Sequence, residues 1–100
     1  MKGLQGRLNF TAIAQAALRQ SDNLVPRWLP DGRCVGQEWI AKNPHRVDRS
    51  LGSFRINLRT GKWADFATGD KGGDLIALLA FLRGISQGQA ARELMRECSL

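Results

Sequence analysis

The stretch from Gly52 to Gly73, GSFRINLRTGKWADFATGDKGG, constrains the fold more than any other part of the chain. From Ser53 to Arg59 apolar and polar residues alternate, with Phe54, Ile56 and Leu58 set against Arg55, Asn57 and Arg59. A period of two belongs to a strand with one face in the core and one in water. A second short run follows Gly61 and has to pair back on the first. A two-residue turn at Thr60-Gly61 would set Arg55 opposite Phe66 and Ile56 opposite Asp65, mixing charged and apolar groups on both faces. A three-residue loop with Gly61 in a left-handed bulge instead pairs Phe54 with Phe66, Ile56 with Ala64 and Arg55 with Asp65. The second register is favoured, because a slip of one residue turns the whole second strand over. It predicts a core face of Phe54, Ile56, Leu58, Ala64 and Phe66. The other face then shows Arg55, Asn57, Arg59, Trp63 and Asp65, with a tryptophan exposed among arginines.

Upstream, Phe10, Ile13, Ala14, Ala17 and Leu18 recur at helical spacing behind Asn9 or Thr11 as N-cap, predicting a short amphipathic helix from about Phe10 to Gln20. Ser21-Asp22-Asn23 breaks that pattern. Pro26 and Pro30 then keep the chain extended around Trp28 and Leu29, and Asp31-Gly32 signals a turn. Val35 to Lys42 reads as a strand with Val35, Trp39 and Ala41 on one face. Asn43 to Gly52, with Pro44 and neither period, reads as a loop. Downstream, Asp74 opens an apolar helix from Leu75 to Arg83 that stops at Gly84. Ser86 with Gln89 forms a capping box for a last helix to about Glu97, whose inner stripe is Ala90, Ala91, Leu94 and Met95. The expected class is α+β: a single domain spanning residues 1–100, with a small antiparallel sheet of three to four strands, one N-terminal helix and two C-terminal helices.

A chain of 100 residues with 43% hydrophobic content suits one small core. The net charge of +6 and a pI near 10.4 point to an anionic partner such as nucleic acid. The excess is concentrated. Between residues 27 and 62, eight cations (Arg27, Arg33, Lys42, Arg46, Arg49, Arg55, Arg59 and Lys62) face Asp31, Glu38 and Asp48. Cys34 and Cys98 are too few for a disulfide framework, so the expected setting is a reducing cytoplasm. Leu75 to Leu82, the longest apolar run, is far short of the ~20 residues a membrane span requires.

Catalytic constellations are scarce. His45 is the only histidine, and nothing places a serine or either cysteine beside it as a nucleophile. Asp65, Asp70 and Asp74 could gather a divalent metal, but Asp65 is more simply the cross-strand partner of Arg55 and Asp74 a charge in the first turn of a helix. The loop GDKGGD has a phosphate-binding look without the Gly-Lys-Ser/Thr ending of a P-loop. A tight turn with positive φ at Gly69, Gly72 or Gly73 accounts for it better. No cofactor and no metal site is expected. Nucleic-acid binding asks for less: Trp63 between Arg55, Arg59 and Lys62 would let bases stack while cations follow the backbone. Trp28 and Trp39 are expected in the core.

Ser53-Phe54, the hairpin, Phe66, then Gly72-Gly73-Asp74 before an apolar helix and a second helix with paired alanines together resemble the N-terminal zinc-ribbon domain of bacterial and phage DNA primases. The resemblance spans about Asn43 to Glu97. In that family a Cys-Pro-x-His pair and a Cys-x-x-Cys pair hold one zinc; here Asn43 and Arg46 of Asn43-Pro44-His45-Arg46, and then Asp65 and Thr68, stand at those places. The resemblance therefore implies a zinc-free relative, as in primase-helicase-like proteins of phages and mobile elements, steadied by an Arg46–Asp65 or Arg55–Asp65 pair. It implies a non-enzymatic domain contacting single-stranded template DNA; the charge reading assigns the phosphates to Arg46, Arg49, Arg55, Arg59 and Lys62 and the stacked bases to Trp63. The alternative is a protein-interaction module docking on a replicative helicase, primase core or polymerase.

Overall fold

A computed structural model describes residues 9–45 and 52–98. Two helices, α1 (Phe10–Arg19) and α2 (Ser21–Trp28), precede five strands: β1 (Arg33–Val35), β2 (Glu38–Ala41), β3 (Phe54–Asn57), β4 (Trp63–Asp65) and β5 (Lys71–Gly72). Helices α3 (Leu75–Arg83) and α4 (Gln87–Glu97) follow. The strands form one antiparallel sheet in the order β1-β2-β3-β4-β5, so the expected α+β class holds, with more elements than expected.

Local chemistry sets the three helices that were expected. The Asn9 carboxamide oxygen accepts the Ala12 N–H at 3.0 Å, and the Asp74 carboxylate accepts that of Ala77 at 2.8 Å. Ser86 and Gln89 close a reciprocal capping box. Each cap satisfies N–H groups that the first helical turn leaves without partners. Helix α3 buries Leu75, Ile76, Leu78, Leu79 and Ala80, and α4 lays Ala90, Ala91 and Leu94 against it. Burying each leucine stabilises by roughly 2 kcal/mol. In α1 the inner face is Ile13, Ala16 and Ala17, while Phe10 stays exposed.

Residues 21–28 depart from expectation by forming a helix instead of an extended arm. Leu24 and Val25 are both buried in the core, and their burial outweighs the polar start and Pro26 in the last turn. Trp28 ends this helix and donates its indole N–H to Glu97 at 3.1 Å. Glu97 also pairs with Arg83 at 3.2 Å, so one carboxylate ties the ends of α2, α3 and α4. The predicted strand from Val35 to Lys42 is in fact part of a hairpin. Gly36 turns the chain, and only Trp39 and Ala41 face inward; Val35 lies on the opposite side.

The central hairpin differs from the expected register by one residue. Asn57 N–H donates to Lys62 O and Gly61 N–H to Asn57 O, both at 2.8 Å, leaving residues 58–61 as the loop. The Asn57 side chain accepts the N–H groups of Arg59 and Thr60 at 2.8 and 3.0 Å, an Asx cap that a shorter loop would forfeit. Gly61 does take a positive φ, +82°. Phe54 therefore faces Asp65, Arg55 faces Ala64 and Ile56 faces Trp63. The slip turns β4 over: Trp63 and Asp65 join Phe54 and Ile56 inside, and Ala64 and Phe66 turn outward.

Candidate nucleic-acid interface

Trp63 cannot be the exposed stacking residue that its sequence context suggested. Its side chain is 5% exposed, with rings of Phe81 and Phe54 at 5.1 and 6.1 Å and its indole N–H donated to Asp74 O at 3.2 Å. The indole lies over Gly72, its cross-strand partner, where a Cβ would come within 2.5 Å of the indole nitrogen. Only glycine leaves room for the ring. Tryptophan gains more by burial than phenylalanine and here finds an acceptor for its N–H, which is the physical reason that it and not Phe66 enters the core.

The outer face of the sheet is built by register. Arg33, Ile40, Arg55, Ala64 and Lys71 are successive cross-strand partners, one from each strand, and so form a single row, exposed at Arg33 and Lys71 and buried at Ile40. On the hairpin-tip side Val35, Glu38 and Asn57 form a second row, ending near Lys62. On the other side Phe66, whose N–H donates to Ser53 O at 2.8 Å, stands 73% exposed, and Lys42 follows the end of β2. Among the described residues Arg33, Lys42, Arg55, Lys62 and Lys71 thus meet a single carboxylate, Glu38, which pairs with Arg55 at 3.1 Å. Among the described residues Arg33, Lys42, Lys62 and Lys71 make no ion pair. Arg27 and Arg83 do pair, with Glu97.

Of the sequence-predicted site residues, Arg55 and Lys62 lie on this face and Arg59 is exposed in the loop that joins β3 to β4. Arg46 and Arg49 fall outside the described residues. Sequence reasoning did not select Arg33, Lys42, Phe66 and Lys71. Phe66 was hidden by the wrong register and Lys71 by reading GDKGGD as a turn, whereas Arg33 and Lys42 needed the β1–β2 pairing.

The inner side of β4 carries a buried polar clasp. Asp65, 0% exposed, accepts the Asn43 side-chain N–H at 2.8 Å and the Ala67 N–H at 2.8 Å, and the Asn43 oxygen accepts the His45 N–H at 2.8 Å. The predicted Arg55–Asp65 pair is absent because the two side chains point to opposite faces. The Arg46–Asp65 alternative lies outside the described residues. The three carboxylates considered for a metal are apart in role: Asp65 is in the clasp, Asp70 accepts the Thr68 hydroxyl at 2.8 Å, and Asp74 caps α3. Among the described residues no group of three or more His, Cys, Asp or Glu gathers to hold a metal ion. The anion seat at the start of α3 is filled by Asp74 itself, which leaves GDKGGD as turn and strand.

His45 reaches α3, with Nε2 2.6 Å from Phe81 O and its ring edge-on to Phe81 at 4.8 Å; no nucleophile stands beside it among the described residues. Burial, then the Glu97 carboxylate, pushes the Cys98 thiol up from its ordinary value, against the opposing effect of Arg27, so it is a structural cysteine. No helix among the described residues is long and apolar enough to cross a membrane.

No family model and no curated protein matches the chain. Among solved structures the chain is similar to the Aquifex aeolicus primase, in a crystal structure of its zinc binding and RNA polymerase domains, with a TM-score of 0.68 and 23% identity. The match covers 83% of this chain and 21% of that one, so the chain spans about a fifth of the primase's length in that structure. The likeness is one of fold. The residues that the sequence resemblance sets at zinc-ligand places do not fit the ion. Asn43 and Asp65 satisfy one another, the Thr68 hydroxyl is committed to Asp70, and none supplies a thiolate or imidazole.

Proposed function

We propose that this chain is a non-catalytic, primase-type domain that holds single-stranded template DNA on the outer face of its sheet, within a replication protein of a phage or mobile element. One observation carries the reading: among the described residues, five cations and an exposed phenylalanine lie around the buried Ile40 on that face with one carboxylate. Cations attract the phosphates without regard to sequence, and an aromatic ring offers any base a surface to stack on. The primase-related fold agrees with this assignment. The test is fluorescence anisotropy of the chain with a labelled 12-nucleotide oligo(dT) across a salt series. Binding that weakens steeply with salt and is impaired in Arg55→Ser/Lys71→Ser supports the reading. Binding indifferent to salt, or none, refutes it.

A second reading, docking on a helicase, primase core or polymerase, draws on the burial of Trp63 and on Phe66 and Val35, which are large apolar side chains left in water. The last helix offers it little, since Leu94 is buried and Met95 packs against the core. Phe66→Ser that abolishes capture of a purified replicative helicase but leaves oligo(dT) binding intact would favour this second reading.

A further inference from the structure

We infer that Lys42 and Phe66 form a subsite for one nucleotide at the end of the outer face opposite the β3–β4 hairpin tip, the base stacking on Phe66 while its own phosphate is held by Lys42. The inference rests on the DNA-binding reading and names where on that face a nucleotide sits. The middle of the face is closed to one. Ile40 is 5% exposed, and Arg55 is held by Glu38 at 3.1 Å and by the Gly52 carbonyl at 3.0 Å.

Beyond Ile40 the register brings a cation and a ring together. Ala41 opposes Phe54, which opposes Asp65; one residue further toward that end stand Lys42, Ser53 and Phe66, with the Phe66 N–H donated to Ser53 O. Ala41, Asn43 and Asp65 are buried, so alternation turns Lys42 and Phe66 to the outer face, where both are exposed. Their chains lie two strand spacings apart, about 10 Å, with the small Ser53 between. A clasp on the inner side fixes that separation. Asn43 donates to the Asp65 carboxylate at 2.8 Å, and these two are the chain neighbours of Lys42 and Phe66. The flexible lysine stem spans much of the distance, which brings its ammonium within reach of the phosphate of a nucleotide whose base lies on the ring. Charge sets the direction. The Asp65 N–H donates to Asp70 O at 2.7 Å, so Asp70 lies on the β5 side of Phe66 and Lys42 on the β2 side. Phosphate is repelled from the first and drawn to the second. Among the described residues no other cation of the face has an exposed ring beside it, because Phe10 belongs to α1.

The experiment is anisotropy with two labelled strands of about 12 nucleotides, oligo(dT) and an abasic strand with the same phosphates and no bases. It uses the whole chain and the variants Lys42→Ser, Phe66→Ala and the two combined. Lys42→Ser should reduce the slope of log K against log salt by about 0.7 on either strand. Phe66→Ala should weaken oligo(dT) binding about tenfold with the slope unchanged and leave abasic binding as it was. In the double variant the fold-losses on oligo(dT) should combine to less than their product, because each contact places the nucleotide for the other. Both side chains are exposed, so the melting temperatures should match wild type, and Arg92→Ser, exposed on α4, serves as control. The subsite is overturned, while DNA binding stands, if Lys42→Ser keeps the wild-type slope or Arg92→Ser lowers it as much. It is equally overturned if Phe66→Ala weakens both strands alike or the two losses simply multiply. If wild type does not bind oligo(dT), the underlying reading fails.

Discussion

Replacing Asn43 by alanine tests how this domain stays folded. The side chain is 1% exposed and makes two hydrogen bonds, to the Asp65 carboxylate and from the His45 N–H, each 2.8 Å. A hydrogen bond to a charged group contributes about 1.5–3 kcal/mol, and a neutral one about 0.5–1.5. The His45 N–H lies in an exposed residue and regains water, so its loss sits at the low end. Asp65, at 0% exposure, cannot do so. The sum is about 2–4 kcal/mol, a large share of the ~5–15 kcal/mol that holds a domain of this size. At about 4–8 °C per kcal/mol, the melting temperature followed by circular dichroism should fall by roughly 10–25 °C. A melting temperature for Asn43→Ala within about 2 °C of wild type would refute the reasoning.

Four further outcomes follow from the register and the burial. Trp63→Ala should destabilise by about 3–5 kcal/mol and Phe66→Ser by less than about 0.5 in urea unfolding; the opposite order would restore the hairpin register expected from sequence. Gly72→Ala places a methyl against the indole and should cost about 1–3 kcal/mol, with altered near-ultraviolet dichroism from Trp63; an unchanged spectrum and midpoint would contradict the close approach. Cys34, exposed, should react with a thiol reagent at once, and Cys98 only as the chain unfolds. Because burial raises the Cys98 thiol, the unfolded chain releases that proton first, so stability should decline above the ordinary value of 9.0; Cys98→Ser should flatten that alkaline limb.

What sequence reasoning reached was local. Caps at Asn9, Asp74 and Ser86, the stop at Gly84 and the apolar face of α3 depend on residues within a turn or two of each other, and all appear where expected. The hairpin was ambiguous because Trp63-Ala64-Asp65-Phe66 alternates equally well with either face inward. The choice depends on distant groups: Gly72 as a floor for the indole, the Asp74 carbonyl as its acceptor, and Asn43, 22 positions upstream of Asp65. Helix α2 was missed for a related reason. Its composition opposes a helix, and only the space into which Leu24 and Val25 pack supports one. At the candidate site the basic character was legible and its placement was not. Arg55 and Lys62 were found, while the aromatic partner was misassigned by one register step.

The exposed ring of Phe66 follows directly after Asp65, whose carboxylate is gripped on the far side of the sheet, and its own N–H is held by Ser53 O. A side chain standing in water is thereby mounted on backbone that is already fixed, so a ligand that catches it has little chain freedom left to quench. The same mounting separates two kinds of change over evolutionary time. Residue 66 can drift among aromatic and aliphatic types and retune what the surface grips, while the interior one position away stays as it is.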